Sequence, residues 1–199
     1  MKKHALTLIA LFILMYSSLS FAQIWKPYCA TSASQQRYKI VAYLGADTRW
    51  AFTKAQEKQL KTALQHVTVV NYAFVRFTKN SDGNTVLDFS TNDAKNISEI
   101  RKLRPDAPII LSVGGWGARG SFKPIFDNPA SMNTFTDSVF KTLEKYKLDG
   151  VDVDWENEQL SSAQDRRGLV TLFELLHQNA QRQGFCVTNA VPASAAYWN

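Results

Sequence analysis

Residues 67–77 read VTVVNYAFVRF, an almost unbroken apolar run between His66 and Thr78. A strand with one wet face alternates apolar and polar residues. A run like this suits a strand covered on both faces, the habit of parallel sheets whose crossover helices lie on the sheet. The rest of the chain repeats the pattern. YKIVAYL (38–44), APIILSV (107–113), LDGVDVDW (148–155) and FCVTNAVPA (185–193) read as four more strands. Between them lie helix signals. Thr53 with Gln56 makes a capping box that opens a helix to about His66. A second helix runs from about Asn92 to Arg104 and stops at Pro105. A third opens at Asn128-Pro129, with Met132, Phe135, Val139, Leu143 and Tyr146 on one face. A fourth runs from about Ser162 to Gln183, buries Leu169, Leu172, Phe173 and Leu176, and ends at Gly184. NSDGN (80–84) is a turn signal, so 78–90 is an excursion between strand and helix.

This alternation predicts an α/β fold with a parallel sheet. A doubly wound open sheet and a (β/α)8 barrel both fit, and periodicity does not choose between them. No linker, repeat or low-complexity tract interrupts the chain.

The strand at 148–155 is unusual. Asp149, Asp152, Asp154, Glu156 and Glu158 place five carboxylates within ten residues. Residues i, i+2 and i+4 of a strand share a face. Asp152, Asp154 and Glu156 therefore line up on one side, and Val151, Val153 and Trp155 on the other. The apolar side suits packing under helices, which turns the acidic side toward a barrel interior or the opposite sheet face. Glu156 falls at the strand's C-terminal end, where parallel α/β folds place their chemistry. Side chains on one face repeat at roughly 6.6 Å, so the three carboxylates should share protons, with at least one held protonated as a general acid. A solvated edge strand and a Mg²⁺ or Ca²⁺ site are the rival readings. The sequence reads as a central strand, and no EF-hand spacing is present.

SVGGWGARG (112–120) follows the third strand. Gly115-x-Gly117-x-x-Gly120 matches the letters of a dinucleotide fingerprint, but the next helix signal waits until Asn128, so that context fails. The alternative is that Gly114 and Gly115 allow a close approach of backbone or ligand beside an exposed Trp116, whose indole face could stack on a sugar.

Lys2 and Lys3, the apolar run 5–16 and Ser20-Phe21-Ala22 form a secretory signal, with cleavage expected after Ala22; a retained anchor is the alternative. Loss of Lys2 and Lys3 lowers the formal charge from +6 to +4. The remaining basic residues form no run, which argues against nucleic-acid binding. Cys29 and Cys186 are the only cysteines, either disulfide-linked or two free thiols. The three histidines are scattered, so no His/Cys metal cluster is expected.

With both motifs in place, the chain resembles glycoside hydrolase family 18, the chitinase family. DGVDVDWE (149–156) matches the family signature D-G-x-D-x-D-x-E, and SVGG (112–115) matches its S-x-G-G. Tyr72-Ala73-Phe74 fits its second strand, Tyr43 its first and AVPA (190–193) its fifth. The resemblance covers about residues 37–194. It implies a (β/α)8 barrel, a substrate of β-1,4-linked N-acetylglucosamine, and no cofactor or metal. It further implies a reaction in which the substrate's own 2-acetamido oxygen is the nucleophile. On that basis Glu156 is the general acid and then base. Asp154 orients the acetamido group, and Asp152 shares a proton with Asp154. Tyr43 and Phe74 lie near the reacting sugar, Trp116 and Gly115 touch flanking sugars, and Ser112 supports the carboxylates. Chitin or chitooligosaccharides are the implied partners, with no nucleic acid, no membrane after signal cleavage, and secretion to an extracellular or periplasmic space.

The domain reading is a signal at 1–22, a lead-in at 23–36 and the catalytic domain at 37–199, broken off after strand five of eight. Family members often follow the Glu with Tyr-Pro, whereas Asn157-Glu158 follow here. Beyond residue 22 there remain 177 of the 199 residues, against about 250 for a typical barrel. The family's Met-x-Tyr-Asp segment on strand six and the Trp of strand eight are not in the chain. The expectation is an N-terminal portion of a longer enzyme, weakly active or inactive alone, with a missing half supplied in trans as the alternative. A non-catalytic chitin-binding lectin and a same-family glucosaminidase acting on N-glycans or peptidoglycan are the competing functions.

Overall fold

The computed structural model describes residues 39–45, 51–118, 120–155 and 162–191. The proposed signal (1–22), the lead-in (23–36), Cys29 and Glu156 lie outside them.

Five strands lie side by side, all parallel: β1 (Val41–Gly45), β2 (Val69–Lys79), β4 (Ile109–Gly114), β5 (Gly150–Asp154) and β6 (Cys186–Asn189), in that order. The order never reverses. A doubly wound sheet reverses at its switch point, so the ambiguity left by periodicity resolves to the barrel type. The strands form a curled half-barrel. Its helices are α1 (Lys54–Ala63), α2 (Thr91–Leu103), the short α3 (Lys123–Phe126), α4 (Pro129–Tyr146) and α5 (Ala163–Gln183).

Local sequence sets the helix ends. Thr53 and Gln56 form the reciprocal capping box of α1, and Ser90 with Asp93 forms another on α2. The Asn128 side chain accepts from Ala130 N–H and Ser131 N–H to start α4. Gly184 ends α5 at φ 78°, in the left-handed region that favours glycine.

The core lies between sheet and helices. Val70, Tyr72, Ile109, Leu111, Val113, Val151 and Val153 face outward and meet Phe135, Val139, Leu143, Leu172 and Leu176. On the inner face Val69, Ile110 and Cys186 form a second, smaller apolar cluster. Alternating strand residues thus serve two environments, as the pattern of 151–155 required. Cys186 is disulfide-bonded, and the chain's other cysteine, Cys29, lies outside the described residues.

Three local expectations change. The excursion at 78–90 contains a strand, β3 (Thr85–Asp88), antiparallel to the end of β2. β2 therefore runs on to Lys79, and α4 covers the hairpin, with Ser131 Oγ accepting from Thr85 N–H and Ser138 Oγ from Leu87 N–H. The stretch before Asn128 holds α3, because Pro124 is tolerated in a first helical turn, where its missing N–H has no intrahelical acceptor. α3 buries Ile125 and Phe126, and the latter packs where a Cβ on Gly168 of α5 would lie only 2.5 Å away. FCVTNAVPA forms a strand only over Cys186–Asn189.

Tyr72 anchors a buried polar knot on the helix side. Its hydroxyl donates to Asp93 Oδ1 at 2.8 Å and accepts from Asn96 Nδ2 at 3.1 Å, while Asn96 Oδ1 holds Phe52 N–H at 2.8 Å. Burial pushes the Tyr72 phenol well above its ordinary range, so it stays a donor. Tyr72→Phe removes the hydroxyl that Asp93 and Asn96 share. It should cost about 1–3 kcal/mol, read as a lower urea midpoint with an unchanged slope.

Candidate active site

The 149–154 segment assigns each residue a different surrounding. Asp149 sits below the strand, where its Oδ2 accepts from Ile109 N–H at 2.9 Å and from Arg101 Nη2 at 3.2 Å. Arg101 also donates to the carbonyls of Ala107 and Lys147, so one guanidinium ties the α2–β4 and α4–β5 connections together. The first carboxylate of the motif is thus structural. Gly150 is needed for space: a Cβ there would stand 2.3 Å from the Cys186 carbonyl oxygen of β6. Trp155 packs on the helix side, 5.0 Å between ring centroids from Phe126 in an edge contact.

Asp152 and Asp154 are both buried, on the inner face of β5. Ser112 on β4 and Thr188 on β6 are the register neighbours of Asp152. Ser112 Oγ donates to Asp152 Oδ2 at 2.8 Å and Thr188 Oγ1 to Oδ1 at 2.6 Å. Tyr43, one row lower on β1 in register with Asn71, donates its hydroxyl to Oδ2 at 2.9 Å. Three hydroxyls from three strands therefore meet on one carboxylate. Burial, then the nearby charge of Asp152, pushes the Tyr43 phenol from 10.0 up to about 12. The phenol remains a donor across all ordinary pH. Tyr43, Asn71, Asp152 and Thr188 border a cavity of about 360 Å³ on the inner face.

Above the carboxylates the SVGG loop packs tightly. Gly114, at φ 114°, lies so close to β5 that a Cβ would stand 2.1 Å from the Asp154 carbonyl oxygen. Gly115 N–H donates to that same carbonyl at 2.8 Å. Gly115 itself is buried, and its missing Cβ leaves room for the Phe74 ring, which would lie 2.7 Å from such an atom. Both glycines thus admit protein rather than ligand in the first instance. Phe74 follows a cis peptide bond, and its ring centroid lies 6.2 Å from that of Tyr43. Trp116 is 61% exposed at the rim. A second cavity, about 490 Å³, opens among Phe74, Arg76 and the Gly114–Ala118 loop, within the volume range of small-ligand sites.

Of the residues singled out in the sequence, Tyr43, Ser112 and Asp152 are in direct contact. Asp154, Phe74 and Gly115 adjoin them, Trp116 stands at the edge, and Glu156 lies outside the described residues. Thr188 was not foreseen. Its signal was the strand register: two residues past Cys186 on a parallel neighbour, it had to share a face with Asp152. The Gly115–Gly120 spacing opens no long helix; a 3₁₀ turn, Trp116–Ala118, occupies it.

A parallel, singly wound sheet with buried carboxylates toward the C-terminal end of one strand defines a protein of the (β/α)8-barrel class with its site in the usual place. The profile of Glycosyl hydrolases family 18 matches residues 39–199, and the chain belongs to that family. It is 28% identical over 177 residues to an endochitinase of Manduca sexta, covering 80% of this chain and 31% of that protein. A family 18 N-acetylglucosaminidase structure from Paenibacillus barengoltzii superposes with TM-score 0.61 at 26% identity, covering 80% of this chain and 47% of that one. A group II chitinase domain of Ostrinia furnacalis, crystallised as a mutant with a (NAG)5 oligosaccharide, superposes with TM-score 0.65 at 21% identity, over 81% of this chain and 45% of that one. The chain thus spans less than half the length of these relatives.

Gly114→Ala should drive a methyl group into the Asp154 carbonyl and cost about 3 kcal/mol in thermal or urea unfolding. The raised Tyr43 phenol makes a second prediction. Its neutral form stabilises the fold fully below pH 10, and that contribution is lost as pH rises through about 12. Tyrosinate absorbance should show a step near pH 12, separate from the still later Tyr72, that disappears in Tyr43→Phe, and that variant's stability should fall less steeply over this window.

Proposed function

We propose that this chain carries the acid–base half of a secreted chitinase site, hydrolysing β-1,4-linked N-acetylglucosamine by substrate-assisted retaining chemistry. The observation that carries the reading is Asp152 and Asp154, buried one behind the other on the inner face of β5, with Glu156 two residues further along the sequence. The hydroxyls on Asp152 hold its carboxylate in place. Asp154 can then point to the acetamido N–H of a bound sugar, orient its carbonyl oxygen toward the anomeric carbon and stabilise the positive charge of the oxazolinium. Glu156 protonates the departing glycosidic oxygen and, once the leaving sugar has gone, takes a proton from the water that opens the ring. Trp116 supplies an exposed stacking face for a flanking sugar. Family membership and relatives named as chitinases support this substrate class.

We place the protein outside the cytoplasm. The support is the N-terminal pattern of Lys2-Lys3, an apolar run and Ser20-Phe21-Ala22, together with a disulfide-bonded Cys186, which fits an oxidising compartment.

A panel of chitotetraose, a high-mannose glycopeptide and muropeptides tests the reading. Hydrolysis of chitotetraose above the other two, weak for this chain alone, is the expected result, reduced about 10²–10⁴-fold in Glu156→Gln. Preference for the glycopeptide or muropeptides would move the substrate within the family. Sugar binding with no turnover in a chain extended to the length of its relatives, unchanged by Glu156→Gln, would favour a lectin.

A further inference from the structure

Asp152 takes two of its three hydroxyl donors on a single oxygen, Oδ2, from Tyr43 and Ser112. That alone does not fix a carboxylate. The terminal torsion of an aspartate is broad and roughly two-fold, so a group held at one oxygen can swing about it. Only a donor on the other oxygen sets the plane. Thr188 provides it, 2.6 Å from Oδ1, a length in the range of charge-assisted O–H···O⁻ bonds. Thr188 stands in register beside Asp152 and turns its hydroxyl onto the carboxylate. A valine would suit the strand equally well in backbone preference. What it would lack is the donor.

We propose that Thr188 is a positioning residue that sets the plane of the Asp152 carboxylate from the far edge of the sheet, and through it the approach of Asp152 to Asp154. The inference rests on the reading of Asp152 as the partner of Asp154 in the reaction. Thr188 touches no reacting atom; it acts through Asp152. Its counterpart is Tyr43, on the opposite edge strand. Together they clamp the carboxylate from both ends of the five-stranded arc.

The test compares Thr188→Val, which keeps the shape and removes the hydroxyl, with Thr188→Ser, which restores a hydroxyl. On chitotetraose, kcat should fall roughly tenfold or more in Thr188→Val, with KM within about twofold, and Thr188→Ser should recover most of the loss. Full kcat in Thr188→Val, or a loss that Thr188→Ser fails to recover, overturns the proposal. If the wild-type chain turns over none of the substrates, the positioning role is decided without activity. The Asp152 carboxyl ¹³C resonance at neutral pH should then move in Thr188→Val and return in Thr188→Ser, with Asp149, at the other end of β5, as the unmoved internal reference. An Asp152 resonance unchanged in Thr188→Val overturns it.

Discussion

Strands β4 and β5 approach each other more closely at their C-terminal ends than side chains would permit, and the site depends on that approach. The Asp154 carbonyl accepts from Gly115 N–H, and Gly114 leaves room for it. The contact draws the SVGG loop down over the strand that bears the carboxylates. It places Ser112 level with Asp152 and seats the Phe74 ring over Gly115. A similar economy of space recurs on the other side of β5, where Gly150 lets β6 close in and brings Thr188 alongside Asp152. Glycines on both sides of one strand thus determine which polar groups can reach its acidic face.

Much of this arrangement could be read from residue order. The period-two pattern of 151–155 separated Val151 and Val153, which face the helices, from Asp152 and Asp154, which face inward. The caps Thr53 and Asn128 marked the starts of α1 and α4, because a cap is a local event between side chain and nearby backbone. The sheet order was not legible, since both candidate folds produce the same alternation of strand and helix. β3 was missed because four residues, Thr85–Asp88, carry too little periodicity, and their partner is the tail of a strand already assigned. Asp149 looked like another member of an acidic cluster. Its role below the strand depends on Arg101, 48 residues away, and no local pattern records such a pair. Thr188 was hidden for the same reason: its meaning lies in register across strands.

Asp149 and Asp152, two acidic residues of the signature, consequently have separate roles. Asp149 braces two connections, while Asp152 is satisfied by hydroxyls from β1, β4 and β6. Donors of this kind are neutral and compact. They hold a charge without importing an opposite charge that would compete for it, as an arginine would. Arg101, the cationic partner of Asp149, stands at the opposite end of the strand.

The hairpin that extends β2 has a further consequence. A strand on the rim of a sheet offers bare N–H groups to any passing chain, and proteins commonly blunt such rims with charges or prolines. Here α4 turns two serine hydroxyls onto the N–H groups of Thr85 and Leu87. Those amides are already spoken for, so the outer rim of β3 is a poor template for intermolecular pairing. The helix that packs the core thereby also guards solubility, and substitutions at Ser131 or Ser138 would show themselves first as self-association rather than as lost catalysis.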